Sequence, residues 1–156
     1  ILKNLRIKDQ HIIDGIKKAS NIARLEEIKF GKLKNLVKHN KLIVDSSHNP
    51  GGSKVLNDYL QTLDCKKHVI IGMMANKDHE KYISYFKDVS SITTIDIPNQ
   101  TNAISGKDLK EKFKNIPNVQ YKKGIKEAIQ SINFKEDDIL IITGSLYLSC
   151  EFLNLN

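Results

Sequence analysis

The stretch Leu42-Ile43-Val44-Asp45-Ser46-Ser47-His48-Asn49-Pro50-Gly51-Gly52 decides the fold. Its first three residues form a short apolar run without polar alternation, the mark of a strand buried on both faces. The run stops at a carboxylate. Pro50 then suits the first turn of a helix, because its missing N–H would be unbonded there anyway. Val55, Leu56, Tyr59, Leu60 and Leu63 continue at mostly three- and four-residue spacings, which predicts a helix over about 50–63. A buried strand feeding a helix is the opening half of a strand–helix–strand crossover.

The same unit recurs outward from this stretch. Val69–Ile71, Ile92–Ile97 and Ile139–Ile142 are further short apolar runs. Helical spacing separates them at about 78–87, 105–115 and 122–132, and a last helix starts near Ser145 and runs through Leu153. Alternating strands and helices predict an α/β fold: a mostly parallel sheet with helices on both faces. Towards the N-terminus, residues 1–19 read as one helix with a bend near Asp9–Gln10. A short strand is expected over Arg24–Phe30, with Leu33–Val37 as its hairpin partner across Gly31-Lys32.

Composition narrows the function classes. The 156 residues are 40% hydrophobic and 28% charged, which suits one folded domain and not a disordered chain. No apolar run approaches the roughly 18 residues that span a bilayer, and no signal peptide opens the chain, so no membrane partner is expected. Two cysteines, Cys65 and Cys150, make neither a disulfide framework nor a zinc site, and a cytoplasmic location is expected. The net charge of +7 would suit any anionic partner. Yet the lysines are scattered among acids, and Arg6 and Arg24 are the two arginines, so no nucleic-acid partner is expected. The chain opens on Ile1 rather than Met and is expected to be part of a longer polypeptide.

In a parallel sheet, ligands bind beyond the carboxyl ends of the strands. That directs attention to the loops Asp45–Gly52, Gly72–Asp78, Ile97–Ser105 and Thr143–Ser145. Asp45, at a strand tip, suits a ribose hydroxyl. His48 and Asn49 are placed to face phosphate or carboxylate, and the helix start behind them favours an anion. An Asx-type turn and helix cap would use the same residues. In the second loop, Lys77 could neutralise phosphate, although Asp78 as a helix cap and Lys77 as a solvated charge explain it better. Gly144 and Ser145 can present amide and hydroxyl donors, or Ser145 can simply cap the last helix. Arg24 offers a fork that holds phosphate or carboxylate through two bonds. There is no phosphate-loop motif, no dinucleotide fingerprint and no compact metal pattern among His11, His39, His48, His68 and His79. His68 and His39 read as structural or surface residues, and Tyr82, Tyr85 and Phe86 as core.

Four of these pieces, in order, resemble the C-terminal domain of folylpolyglutamate synthase, often bifunctional with dihydrofolate synthase, in the Mur ligase superfamily. Ala23-Arg24-Leu25-Glu26 is similar to the family's G-R-L-E. Ile43 through Pro50 is similar to its D-G-A-H-N-P region. Gly72 through Lys77-Asp78 is similar to its G-x(4)-K-D, and Gly144-Ser145-Leu146-Tyr147 to its G-S-L-Y. Ser46-Ser47 stand for the usual Gly-Ala, Ala23 for a glycine, and Asn21-Ile22 for a Trp-Pro.

The resemblance implies a Rossmann-like three-layer Mur ligase C-terminal domain over 22–156. Residues 1–21 would be the last helix and linker of a missing N-terminal ATP-binding domain of the same polypeptide. It implies an ATP-dependent ligase that joins L-glutamate to a folate or to dihydropteroate through an acyl phosphate. ATP and Mg2+ would serve it, with the metal ligands mostly in the missing domain and none in this chain. Arg24 and Asp45 would bind the nucleotide. His48 would be catalytic and, with Ser145, substrate-facing. The fragment alone is expected to be inactive. The alternatives are another Mur-type amino-acid ligase, or a stand-alone nucleotide-binding module without enzymatic activity.

Overall fold

The computed structural model describes residues 8–18, 21–114 and 116–156. Five strands run parallel: β2 (Lys41–Val44), β3 (Lys67–Ile71), β4 (Ser91–Ile95), β5 (Val119–Lys122) and β6 (Ile139–Thr143). The two-residue β1 (Glu26–Glu27) joins β2 antiparallel, and the sheet order is β1-β2-β6-β3-β4-β5. The last strand in sequence therefore lies at the centre. Its sequence explains why: Ile139, Leu140, Ile141, Ile142 and Thr143 are all buried, with no polar face to turn to water.

Helices cover both faces. Ile139 and Ile141 point to one side, with Val69 and Ile71 of β3, under α3 (Pro50–Gln61), α4 (His79–Ile83) and α5 (Gly106–Glu111). Leu56, Leu60, Tyr82, Phe86, Leu109 and Phe113 fill that layer. Leu140 and Ile142 point to the other side, under α2 (Lys32–Val37), α6 (Ile125–Gln130) and α7 (Leu146–Leu155), with Leu33, Val37, Ile129, Leu148 and Phe152. This period-2 division of one strand between two cores is the physical content of a three-layer fold. Each fully buried aliphatic side chain contributes about 1.5–3 kcal/mol of transfer free energy.

The expected hairpin is corrected. Leu33–Val37 is helical, not a strand, and the strand expected over Arg24–Phe30 shrinks to Glu26–Glu27. Leu33, Leu36 and Val37 have helical spacing, and Leu33 and Val37 bury against the second core. Gly31 carries no capping side chain. Asn156 caps the helix instead: its Oδ1 accepts from the Lys34 N–H at 2.9 Å and its carbonyl accepts from Lys32. A second correction is β5, a half-buried edge strand that sequence reading missed and partly assigned to a helix over 122–132. Val119-Gln120-Tyr121-Lys122 has no apolar run to reveal it. At the N-terminus, α1 (Asp9–Lys18) starts where a bend was expected. Ile1, Leu2 and Leu5 lie outside the described residues.

After β2 and β3 the chain leaves towards α3 and α4. After β6 it leaves towards α7, on the opposite face. Neighbouring connections that part to opposite sides open a crevice at the carboxyl ends of β2, β6 and β3.

Candidate functional site

Asp45 stands at the tip of β2 and is 6% exposed. Its Oδ1 accepts from the Ser47 N–H at 2.9 Å and its Oδ2 from the Leu25 N–H at 3.0 Å. One carboxylate thus ties the post-strand loop to the Arg24 segment. Each oxygen keeps a second lone pair for a ligand hydroxyl. Ser46 adds a further tie, donating its N–H to the Ala23 carbonyl at 2.8 Å.

The two serines that depart from the family pattern are answered by polar partners. Ser46 Oγ lies 3.0 Å from Ser149 Oγ of α7. Ser47 Oγ lies 3.1 Å from both the Tyr82 hydroxyl and Thr143 Oγ1, and Tyr82 also donates to the Ser47 carbonyl at 3.1 Å. Full burial pushes the Tyr82 phenol up to about 12, even though the hydroxyls of Ser47 and Thr143 pull it down. It therefore remains a proton donor to the loop above it.

His48 Nδ1 lies 2.9 Å from the Ser46 carbonyl. A carbonyl only accepts, so Nδ1 carries the proton and Nε2 is the ring's acceptor. Asn49 caps α3, its Oδ1 taking the Gly52 N–H at 2.9 Å, with Pro50 next in the first turn. Gly52 must be glycine by contact: an added Cβ would lie 2.8 Å from the Ser47 Cβ.

The loop after β6 meets this one directly. Gly144 donates its N–H to the Ser47 carbonyl at 3.1 Å and sits at φ 104°, with an added Cβ only 2.7 Å from the Gly72 carbonyl. Ser145 caps α7, its Oγ accepting from the Tyr147 N–H at 3.1 Å, and the residue is 1% exposed. In the loop after β3, Asp78 caps α4 as expected. His79 Nε2 donates to the Met74 carbonyl at 2.9 Å, and Met74 bridges to Ala103 of the loop after β4.

Two hollows lie along this rim. A recess of about 320 Å³ is lined by Arg24, Leu25, Asp45, Ser47 and the Gly51-Gly52 start of α3. A cleft of about 660 Å³ has His48, Lys77 and Ser145 in its walls, with Asn76, Thr101, Asn102 and Tyr147. No carboxylate lines that cleft. The arrangement suits anionic groups: a guanidinium and the Gly51 N–H of the helix start in the recess, an imidazole and an ammonium in the cleft.

The four residues given site roles from sequence, Arg24, Asp45, His48 and Ser145, thus lie along one rim, in two hollows rather than one. Lys77 belongs with them more closely than sequence reading allowed. Asn76, Thr101, Asn102 and Tyr147 were missed as site residues. Asn76, Thr101 and Asn102 had only their position as a signal, in loops at the carboxyl ends of strands, whereas Tyr147 sits in the first turn of α7 and closes the Gly144–Tyr147 stretch. A larger cavity, about 720 Å³, lies elsewhere, between α4 and α5 among Ile83, Phe86 and Phe113. Among the described residues, no group of three His, Cys, Asp or Glu side chains could hold a metal ion, and no helix is long and apolar enough to cross a membrane.

A family model described as "Mur ligase, glutamate ligase domain" matches residues 31–146. No curated protein sequence matches the chain. Among solved structures, a folylpolyglutamate synthase from Thermotoga maritima is 24% identical with a TM-score of 0.72, over 99% of this chain and 38% of that one. E. coli FolC in complex with DHPP and ADP is 19% identical with a TM-score of 0.74, over 98% of this chain and 36% of that one. The bifunctional folylpolyglutamate synthase/dihydrofolate synthase from Yersinia pestis, complexed with AMPPNP and a Mn ion, is 19% identical with a TM-score of 0.73, over 95% and 34%. This chain spans just over a third of the length of those structures.

Proposed function

The chain belongs to the family of Mur ligase glutamate ligase domains, and we propose that it closes over ATP and L-glutamate as the C-terminal domain of a folylpolyglutamate or dihydrofolate synthase. The observation that carries this reading is the pair of adjoining hollows on one rim, one built for a nucleotide's phosphates and ribose, the other free of acidic groups. In the reaction, a carboxylate oxygen of folate or dihydropteroate takes the γ-phosphoryl group and ADP leaves. The glutamate nitrogen then attacks the acyl carbon, phosphate departs and the nitrogen loses a proton.

Arg24 grips phosphate through its fork, and the Gly51 N–H at the start of α3 adds a donor where charge develops. Asp45 accepts from a ribose hydroxyl with the lone pairs its backbone donors leave open. Lys77 neutralises a glutamate carboxylate in the cleft. His48 Nε2, the ring's acceptor, is suited to take the proton from the attacking nitrogen. Ser145 serves through the cap that holds the start of α7 at the cleft wall. On this reading, as the resemblance implies, the Mg2+ ligands would lie mostly in a preceding domain.

The test is a substrate panel. The longer polypeptide carrying this chain is expected to consume ATP with folate or dihydropteroate and L-glutamate, and not with UDP-muramyl peptides. Turnover of UDP-muramyl peptides alone would overturn the reading in favour of a sister ligase. The 156-residue chain by itself is expected to turn over nothing.

A further inference from the structure

Arg24 is exposed, and no carboxylate pairs with it among the described residues. Its backbone is strained on both sides: Ala23 lies at φ 54° and Leu25 at φ 47°, the left-handed region that L-residues avoid. Left to itself, this turn would relax and swing the guanidinium. Three hydrogen bonds oppose that. The Ala23 carbonyl takes the Ser46 N–H at 2.8 Å, the Leu25 N–H goes to Asp45 Oδ2 at 3.0 Å, and the Ala23 N–H goes to Glu26 Oε2 at 2.7 Å. The last is the shortest, and its acceptor is a charged group, which strengthens it. Glu26 heads β1, paired opposite Val44, yet its side chain turns back three residues onto the strained turn. It makes no ion pair among the described residues, whereas its neighbour Glu27 meets Lys41 at 3.4 Å. A half-buried carboxylate that grips an amide instead of a cation is holding backbone.

We propose that Glu26 is a positioning residue for Arg24: with Asp45 it clamps the Ala23–Leu25 turn in its left-handed form and so aims the guanidinium into the recess at the start of α3. This rests on reading the recess as a phosphate site. Glu26 does not line the recess, so it acts on the ligand only through Arg24.

The experiment uses Glu26→Ala, Glu26→Gln, and Glu26→Ala combined with Ala23→Gly, with two readouts. One is hydrogen exchange at the Ala23 amide, followed by NMR. The other is the steady-state kinetics of the full polypeptide. Glu26→Ala is expected to speed Ala23 exchange and to raise the KM for ATP about tenfold, as loss of one charge-assisted bond implies. The KM for glutamate should stay unchanged. Glu26→Gln keeps an oxygen acceptor and should stay near wild type in both readouts. Ala23→Gly removes the left-handed penalty and should restore most of the ATP KM without restoring amide protection. Unchanged Ala23 exchange in Glu26→Ala would overturn the clamp. So would an unchanged ATP KM where Arg24→Ala raises it. If Arg24→Ala itself leaves the ATP KM unmoved, the phosphate-site reading is what fails, and amide exchange alone decides the clamp.

Discussion

The two ends of the sheet bury comparable carboxylates and put them to different uses. At the carboxyl end, Asp45 takes two backbone N–H groups from separate loops and borders an open recess beside Arg24. At the amino end, Asp138 is 3% exposed and its Oδ2 takes the Lys135 N–H at 2.8 Å and faces His68 Nε2 at 3.2 Å. His68 in turn meets Ser91 Oγ at 2.7 Å and stands edge-on to Phe134. Serine, histidine and aspartate are thus in line, as in a hydrolytic triad, but as a buried pin joining β3, β4 and the entry to β6. The hollows differ in the same sense. The cleft at the carboxyl end has imidazole and ammonium and no acid, while the cavity at the other end sets Asp64, Asp137 and Asp138 against His39 and Lys41. Burial and hydrogen bonding by themselves therefore do not mark a site; the uncompensated charge that borders them does.

Two substitutions press hardest on this contrast. Gly144→Ala places a Cβ 2.7 Å from the Gly72 carbonyl at φ 104°, so neither loop can give without breaking the rim. A loss of more than about 3 kcal/mol is expected in denaturant unfolding. A mild effect would mean that the loops after β3 and β6 are not locked together. Arg24→Ala should do the reverse. Its side chain is exposed and has no ion-pair partner among the described residues, so stability should change by less than about 0.5 kcal/mol. The kcat/KM for ATP in the full polypeptide should fall about a hundredfold, near 3 kcal/mol, and Arg24→Lys should recover little of it. Equal kinetics in wild type and Arg24→Ala would remove the recess from the mechanism.

Much of this was legible in the sequence because the buried strands are written as unbroken apolar runs. Ile139–Ile142 could be little else, and its place at the sheet centre follows from its having no polar face. The site loops were legible for a related reason, since each lies where such a run stops. What escaped depended on contacts far along the chain. The helix at Lys32–Val37 owes its capping to Asn156, 122 positions beyond Lys34, and without that partner Leu33–Val37 reads equally well as a strand. Gln120 and Tyr121 of β5 find their partners on β4 and beyond it, at Thr93 and Asp96, so the edge strand has no local signal. His68 read as structural or surface, and the structure makes it structural; its partners Ser91 and Asp138 are too distant in sequence to have been named.

The amino-end pin gives a smaller, pH-dependent test. Burial alone would raise the Asp138 carboxyl, but the Lys135 N–H, the hydrogen bond and charge of His68 and the charge of Lys66 together hold it below its ordinary 3.8. A lowered folded value means that the stabilisation is complete above 3.8 and drains away as pH falls through the folded value. Asp138→Asn should cost about 1–3 kcal/mol at pH 7. The gap between wild type and variant should narrow towards pH 3 in urea unfolding. Nucleotide kinetics in the full polypeptide should not move. A gap that widens in acid would reverse the sign argued here, and altered ATP kinetics would erase the distinction between the two ends.

The smallest effects come from two helix starts that the sequence makes look alike. Gly31 and Gly124 each precede a helix and neither offers a capping side chain. At Gly124 the backbone is extended, φ −148°, and an added Cβ meets nothing within 4 Å. Serine there would face the α6 amides with Glu127 three residues on, whose carboxylate already reaches the Lys123 N–H at 3.3 Å. That is the spacing of a capping box. Gly124→Ser should therefore stabilise by about 0.5–1 kcal/mol, partly by stiffening the unfolded chain. At Gly31, φ is 130° and a Cβ would land on the Asn156 side chain that caps α2. Gly31→Ser gains no cap and evicts one, so it should destabilise by about 1–2 kcal/mol. Thermal unfolding of the pair decides it: shifts of the same sign would mean that helix-start chemistry, rather than the long-range contact with Asn156, governs both positions.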